Sequence, residues 1–135
     1  MIEREFATTP GGVRVLLVDS VSFVREEDRD GIVVCASHGG ESSGQYALER
    51  RPGLIFFNDA GVGKGRAGIR ALELLEAQGI AAAAVSSESA RIGDVVDHWA
   101  AGAISHANAA AQGVAAGMAV PEAIDAWAEA VNLHG

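Results

Sequence analysis

The chain has 135 residues, 49% of them apolar, and a formal net charge of −8. That length suits a single domain with a real core, and that charge excludes the basic footprint needed by nucleic acid or an anionic membrane surface. The one cysteine, Cys35, excludes an internal disulfide and fits a cytoplasmic, reducing compartment; the charged start Met1-Ile2-Glu3-Arg4-Glu5 is unlike a secretory signal, and no apolar run approaches the roughly 20 residues of a membrane helix.

Residues 1 to 12 read as an edge strand or arm, ended by Pro10-Gly11-Gly12. Val13 to Val18 is strand-like, and Asp19 to Val24 continues as extended chain. The mixed charges of Arg25 to Asp30 suit a solvated loop. Ile32-Val33-Val34-Cys35-Ala36 is a second buried strand, followed by Ser37-His38-Gly39-Gly40 and a short helix near Ser42 to Arg50. Pro52-Gly53 restarts the chain into Leu54-Ile55-Phe56-Phe57, an unbroken apolar run as expected of a strand covered on both faces. A glycine turn follows, then a helix from Arg66 to Gln78 with Ile69, Leu72 and Leu75 toward the core and Gly79 as its cap.

Ile80 to Val85 would be helical by alanine propensity alone. Its place between a capped helix and a serine cluster predicts a strand instead. Ser86 to Asp94 is a polar loop, Val95 to Ala100 a helical turn, Ala101 to Ile104 a short strand, and Ser105 to Gly113 a helix. Pro121 starts the last helix, with Ile124, Trp127 and Val131 on one stripe. This alternation predicts an α/β fold: one layered domain with a mainly parallel or mixed sheet flanked by helices. The strands at Val13 and Ile32 have no helical segment between them, which predicts an antiparallel pair there. The apolar excess, with Trp99 and Trp127 in the alanine-rich last third, predicts a homo-oligomer.

Four strand ends carry polar clusters: Ser37-His38, Asn58-Asp59, Ser86 to Ser89 and Ser105-His106. In open α/β sheets, ligands bind beyond the carboxyl ends of the strands. Two readings stand side by side: a shared site, or four independent sets of caps. Between Leu54 and the next helix, Gly61, Gly63 and Gly65 leave amides uncovered. With Lys64 and a helix N-terminus they would suit a carboxylate or small phosphate; the plainer alternative is a tight turn with an exposed lysine.

The turn fails the phosphate-loop pattern, because Asn58 stands where its first glycine belongs and Gly65 follows Lys64. It fails the dinucleotide fingerprint too, because Arg66 takes the third glycine position. His38 and His106 are candidate proton movers, with Asp59 orienting them or serving as a second acid–base group. Ser37, Ser89 and Arg91 are candidate ligand contacts, Arg91 through a bidentate grip on a carboxylate. Arg91 paired with Asp94 or Glu88 is the duller option. His98 and His134 read as structural or exposed, and Cys35 as a small core residue. No metal or cofactor is assigned; His38, Asp59 and His106 form only a sparse donor set.

Ser37-His38-Gly39-Gly40, Asn58-Asp59-Ala60-Gly61-x-Gly63-Lys64, Ser89-Ala90-Arg91-Ile92-Gly93-Asp94 and the later Gly113-Val114-x-x-Gly117-Met118-x-x-x-Glu122-Ala123 resemble a small bacterial α/β family of undescribed activity. The resemblance spans most of residues 13 to 130 and implies a fold class, with no catalytic assignment. From the residues themselves comes the leading expectation. It is an enzyme acting on a small carboxylate- or amide-bearing anion by general acid–base chemistry. The alternative is a non-catalytic ligand-binding or oligomeric assembly module.

Overall fold

The sheet forms where apolar residues run without break. Arg14–Val18 (β2), Ile32–His38 (β3), Leu54–Asn58 (β4) and Ala81–Val85 (β5) are such runs, and they pair in parallel in that order. Glu5–Thr8 (β1) adds antiparallel to β2, and Ile104–Ala107 (β6) adds antiparallel to β5. The computed structural model describes residues 1–134, with side chains as far as Asn132. Among these the six strands lie in the order in which the chain makes them.

Successive strand residues face opposite sides. Leu16, Val33, Cys35, Ile55 and Phe57 meet Glu41–Arg50 (α1) and Arg70–Glu76 (α2) on one face. Val15, Val34, Leu54 and Phe56 meet Val95–Ala101 (α3) and Val120–His134 (α4) on the other. Two covered faces explain why β4 is apolar at successive positions and wholly buried. They also explain the alanines of β5. Phe56 lies beside Ala83 and Phe57 beside Ala84, so a large side chain is matched by a small one across the ladder.

The strand-and-helix alternation and the mixed sheet are as the sequence predicts. Several local details differ. The antiparallel pairs lie at the two edges, while β2 and β3 are parallel. Asp19 to Val24 is not extended: Val21–Phe23 is a 3-10 turn, held because Ser20 Oγ accepts from Ser22 N–H and Ser37 Oγ accepts from Val21 N–H. Arg25 to Asp30 is not wholly solvated. Glu26–Asp28 is a second 3-10 turn, and buried Asp28 takes both guanidinium nitrogens of Arg4 at 2.7 and 2.9 Å.

β6 lies three residues later than predicted and replaces the start of a predicted helix. Asn108 fixes it: its side-chain amide donates to the Leu72 and Ile80 carbonyls, and its oxygen accepts from the Ala82 and Ala111 amides. Gly79 does end the helix before β5, with φ 73°. On α4, Ile124 is buried but Val131 is exposed, so the apolar stripe is only partly covered. His134 lies outside the residues whose side chains are described.

α1 and α2 lie on one face, because both crossovers move the same way along the sheet. After β5 the chain passes to the other face. The neighbouring strands β4 and β5 therefore send their loops to opposite faces of the sheet.

Candidate functional site

The loop leaving β4 has an unusual backbone. Ala60, Gly61, Val62, Gly63, Gly65 and Arg66 all have positive φ, between 50° and 75°. Left-handed Gly65 and Arg66 stop a right-handed helix from starting at Arg66; a 3-10 stretch, Lys64–Ile69, runs through them and α2 begins at Arg70. The dipole of a helix therefore does not begin at the glycine turn. The turn's first four amides are already bonded within the protein. Ala60 N–H donates to Asn58 Oδ1, Gly61 N–H to Asp59 Oδ1, Val62 N–H to the Asp59 carbonyl and Gly63 N–H to the Gly61 carbonyl. Lys64 is exposed and has no carboxylate within ion-pair distance among the described residues.

Asp59 lies between the loops after β4 and β5 and ties them together. Its Oδ1 accepts from Gly61 N–H at 2.8 Å and from Ser87 N–H, on the loop after β5, at 3.0 Å. Burial pushes its carboxyl up, but the Ser105 hydroxyl, the Gly61 and Ser87 amides and the Ser87 hydroxyl together hold it below the ordinary carboxylate range. At neutral pH Asp59 is thus a carboxylate, able only to accept. The Ser105 hydroxyl donates to the Ala84 carbonyl at 3.4 Å, a long bond, and its oxygen lies 3.0 Å from His106 Nδ1, so the ring donates to it through Nδ1–H. In a neutral imidazole this arrangement leaves Nε2 as the unprotonated acceptor.

His106 lines a cleft of about 210 Å³ between α2 and β6, together with Arg66, Ile69, Leu72, Glu73 and Glu76. Arg66 is held there in the left-handed region, and its nearest carboxylate, on Glu73, is 3.6 Å away between two largely exposed side chains. Ile69 and Leu72 give the cleft an apolar wall.

Asp59 is bonded to Gly61 after β4, and His106 to Ser105 on β6, two strands along the sheet. The other predicted residues are elsewhere. Ser37 is half-buried and pins the turn after β2. His38 is exposed at the end of β3, three interstrand steps or about 14 Å from His106, so the two cannot serve one reacting atom. Ser89 holds its loop, accepting from Ala103 N–H and donating to the Ser86 carbonyl. Arg91 is exposed, on the loop that leads to α3; its backbone N–H, rather than its guanidinium, bonds Asp97.

His98 is structural, as expected: fully buried, it bonds Asn58 Nδ2 and the Asp94 carbonyl. Cys35 is also as expected. Its thiol donates to the Phe56 carbonyl, and burial pushes it up to about 12, which removes it as a nucleophile. No group of three or more metal-ligating side chains occurs among the described residues. No helix among them is long and apolar enough to cross a membrane. Ser87 and Ser105 were read only as members of polar strand-end clusters, and Arg66 only as the start of a helix, so residue type and position assigned none of them a role of its own.

Comparison with protein-family models, with curated proteins and with solved structures gives no match, for the family resembled by the motifs or for any other. The functional reading therefore rests on the geometry of this chain.

Proposed function

We propose that the protein is an enzyme acting on a small carboxylate- or amide-bearing anion by general acid–base chemistry, in the cleft between α2 and β6. The observation that carries this reading is the Ser105–His106 hydrogen bond, which leaves His106 Nε2 as a base at the wall of a cleft that also holds Arg66. Arg66 grips the anion, with Lys64 two residues away adding positive charge. His106 takes a proton from the substrate, with its ring oriented by the bond to Ser105. Three left-handed residues without glycine's freedom, Ala60, Val62 and Arg66, lie in the same loop. Strain of this kind gathers where a site must be held in one shape. The single free cysteine, Cys35, fits a reducing cytoplasm, where such a metabolite would be met. Exposed Phe6, Ile92, Val96 and Val131 favour assembly into a homo-oligomer.

A second reading, a non-catalytic module, draws on the internal bonding of Ser37, Ser89 and Asp59, which serve the fold itself. Titration of labelled protein with small mono- and dicarboxylates, followed by NMR, separates the two. The enzyme reading expects shifts at His106 and Arg66, turnover of a binder, and a fall in kcat of about 10²–10⁴-fold in His106→Gln. Absence of those shifts at millimolar ligand, or turnover indifferent to His106→Gln, would sink it. A light-scattering mass near the 13.8 kDa of one chain would remove the oligomer.

A further inference from the structure

We infer that the opposite end of the sheet carries a second, independent site, for a carboxylate attached to a flat apolar body. Its origin is the first parallel crossover. Residues 19–31 join β2 to β3 through two 3-10 turns, where the next two crossovers each supply an α-helix. The sheet face near the amino ends of β2 and β3 consequently has a groove of about 410 Å³ beside those turns. That volume lies within the roughly 300–1,000 Å³ of small-molecule sites.

Leu16 and Val33 lie under the groove but are almost fully buried, so most of its apolar surface comes from Phe6. Phe6, opposite Leu16 in the ladder, stands at its rim and is 50% exposed. The Arg14 guanidinium lies 3.7 Å from the centroid of the Phe6 ring, a stacked cation on an aromatic face. Three of the chain's ten cationic side chains, Arg4, Arg14 and Arg25, line this one groove of a protein with net charge −8.

The charges there are not all spent. Arg4 is committed: it grips both oxygens of Asp28 and donates to the Phe23 carbonyl at 3.0 Å, which neutralises Asp28 and fixes the wall. Arg25 meets Glu27 only at 3.6 Å, between side chains 62% and 68% exposed, a weak and screened pair. Arg14 has no carboxylate within ion-pair distance among the described residues. Two guanidiniums therefore face one loosely held carboxylate.

A guanidinium prefers a carboxylate, whose two oxygens match its fork, and its flat face prefers a flat partner. The exposed Phe6 ring and its stack with Arg14 select a ligand with a planar apolar body beside its charge. β2 and β6 are four interstrand steps apart, about 19 Å, so this groove and the His106 cleft report separately.

The test is an NMR titration of the labelled full chain with benzoate. Benzyl alcohol serves as the uncharged counterpart and inorganic phosphate as the anion without an apolar body. The expected result is saturable shifts at the amides of Phe6, Gly31 and Val33, with both controls at least about tenfold weaker. Arg14→Gln should weaken benzoate at least about tenfold while leaving the remaining spectrum in place. Phe6→Leu, which keeps the charge, should weaken benzoate more than phosphate. Four results would overturn the assignment: no saturable shift at about 10 mM benzoate, equal binding of benzyl alcohol, binding unchanged in Arg14→Gln, or shifts confined to Arg66 and His106. The last would still leave the acid–base reading of the His106 cleft standing.

Discussion

Two loops leave neighbouring strands of this sheet for opposite faces, and they hold their shapes in different ways. Residues 59–69, after β4, are closed by their own backbone. Val62 N–H donates to the Asp59 carbonyl and Gly68 N–H to the Val62 carbonyl, and three non-glycine residues lie in the left-handed region. Residues 86–94, after β5, are closed by side chains. Ser86 Oγ accepts from Glu88 N–H, Ser89 joins Ser86 to Ala103, and Asp94 caps α3 by accepting from Asp97 N–H. The only positive φ in this second loop is at Gly93. A left-handed residue with a side chain costs roughly 1–2 kcal/mol. The first loop thus stores strain that the second avoids, and it does so beside the cleft that holds Arg66 and His106. Such strain survives only where the surroundings leave the chain no other path. The contrast makes the first loop intolerant of small changes to its backbone, and the second sensitive mainly to loss of single hydrogen bonds.

The largest effect should come from Gly68→Ala. A Cβ at Gly68 would fall on the Asp59 carbonyl oxygen and within 3.0 Å of Val62 Cα, both backbone atoms. The loop would have to reopen, at a cost of about 3–5 kcal/mol. Urea unfolding measures it; a stability within about 0.5 kcal/mol of the parent would show that the backbone closure does not hold the loop.

Asp59→Ala is next, because the Asp59 side chain, like that of Asn58, bonds both loops. Removing it takes the acceptor from the Gly61 and Ser87 amides, both on exposed residues where water can replace part of the bonds, a loss of roughly 1–2 kcal/mol. The folded state holds this carboxyl below its unfolded value of about 3.9, so the unfolded chain binds the proton first as pH falls. Its contribution is complete above that value and declines as pH drops through it toward the folded value. Unfolding curves between neutral pH and about pH 3 should show the parent losing its advantage over Asp59→Ala at the acid end. A constant gap across that range would remove the linkage.

The same contrast explains what could be read from the sequence. β2 to β5 were legible because strands buried on both faces are apolar in succession, and Leu54 to Phe57 leave little other choice. Gly79 and Pro121 mark helix ends by local chemistry. The β4–α2 loop was legible as glycine-rich, but nothing in Lys64-Gly65-Arg66 announces a left-handed arginine, so the helix was expected four residues early. β6 was misplaced because Ile104-Ser105-His106-Ala107 has no apolar run. Its extended state comes from pairing with β5 and from Asn108, whose partners lie 26 to 36 residues away. The site followed the same rule. Asp59 and His106 stood out by residue type, whereas the bond from the Ser87 amide to Asp59 exists only through tertiary register.

His98 extends the comparison to pH, because it ties the second loop to the end of β4. Buried and neutral, it donates through Nδ1–H to the Asp94 carbonyl at 2.8 Å and accepts from Asn58 Nδ2 at 3.2 Å. Burial lowers its pKa more than the Asp94 carbonyl and the nearby Asp97, Asp94 and Asp19 charges raise it. As pH falls below about 6.5 the unfolded chain takes the proton first, so stability is lost from there down to the folded value, by at most about 1.4 kcal/mol per pH unit. His98→Gln should be less stable at pH 7.5 and show a shallower decline to pH 5. Equal slopes in parent and variant would mean that His98 does not carry the acid sensitivity.

The smallest effect should come from Ser89→Ala, and it tests the side-chain half of the comparison most directly. Ser89 Oγ donates to the Ser86 carbonyl at 2.8 Å and accepts from Ala103 N–H at 2.9 Å, joining the start of the loop to the segment that enters β6. The substitution keeps the backbone conformation and nearly the same volume, so only these two bonds are lost. The Ser86 carbonyl also accepts from the Ser89 and Ala90 amides and stays satisfied. The Ala103 amide alone loses its partner, and Ala103 is only partly buried, so water can replace part of the bond. The expected cost is therefore about 1 kcal/mol, the net worth of one ordinary hydrogen bond. Hydrogen exchange should show faster exchange at Ala103 and little change at Gly68, whose protection comes from the other loop. If Ser89→Ala instead loosened Gly68 as strongly as Ala103, the two loops would be one cooperative unit joined through Asp59.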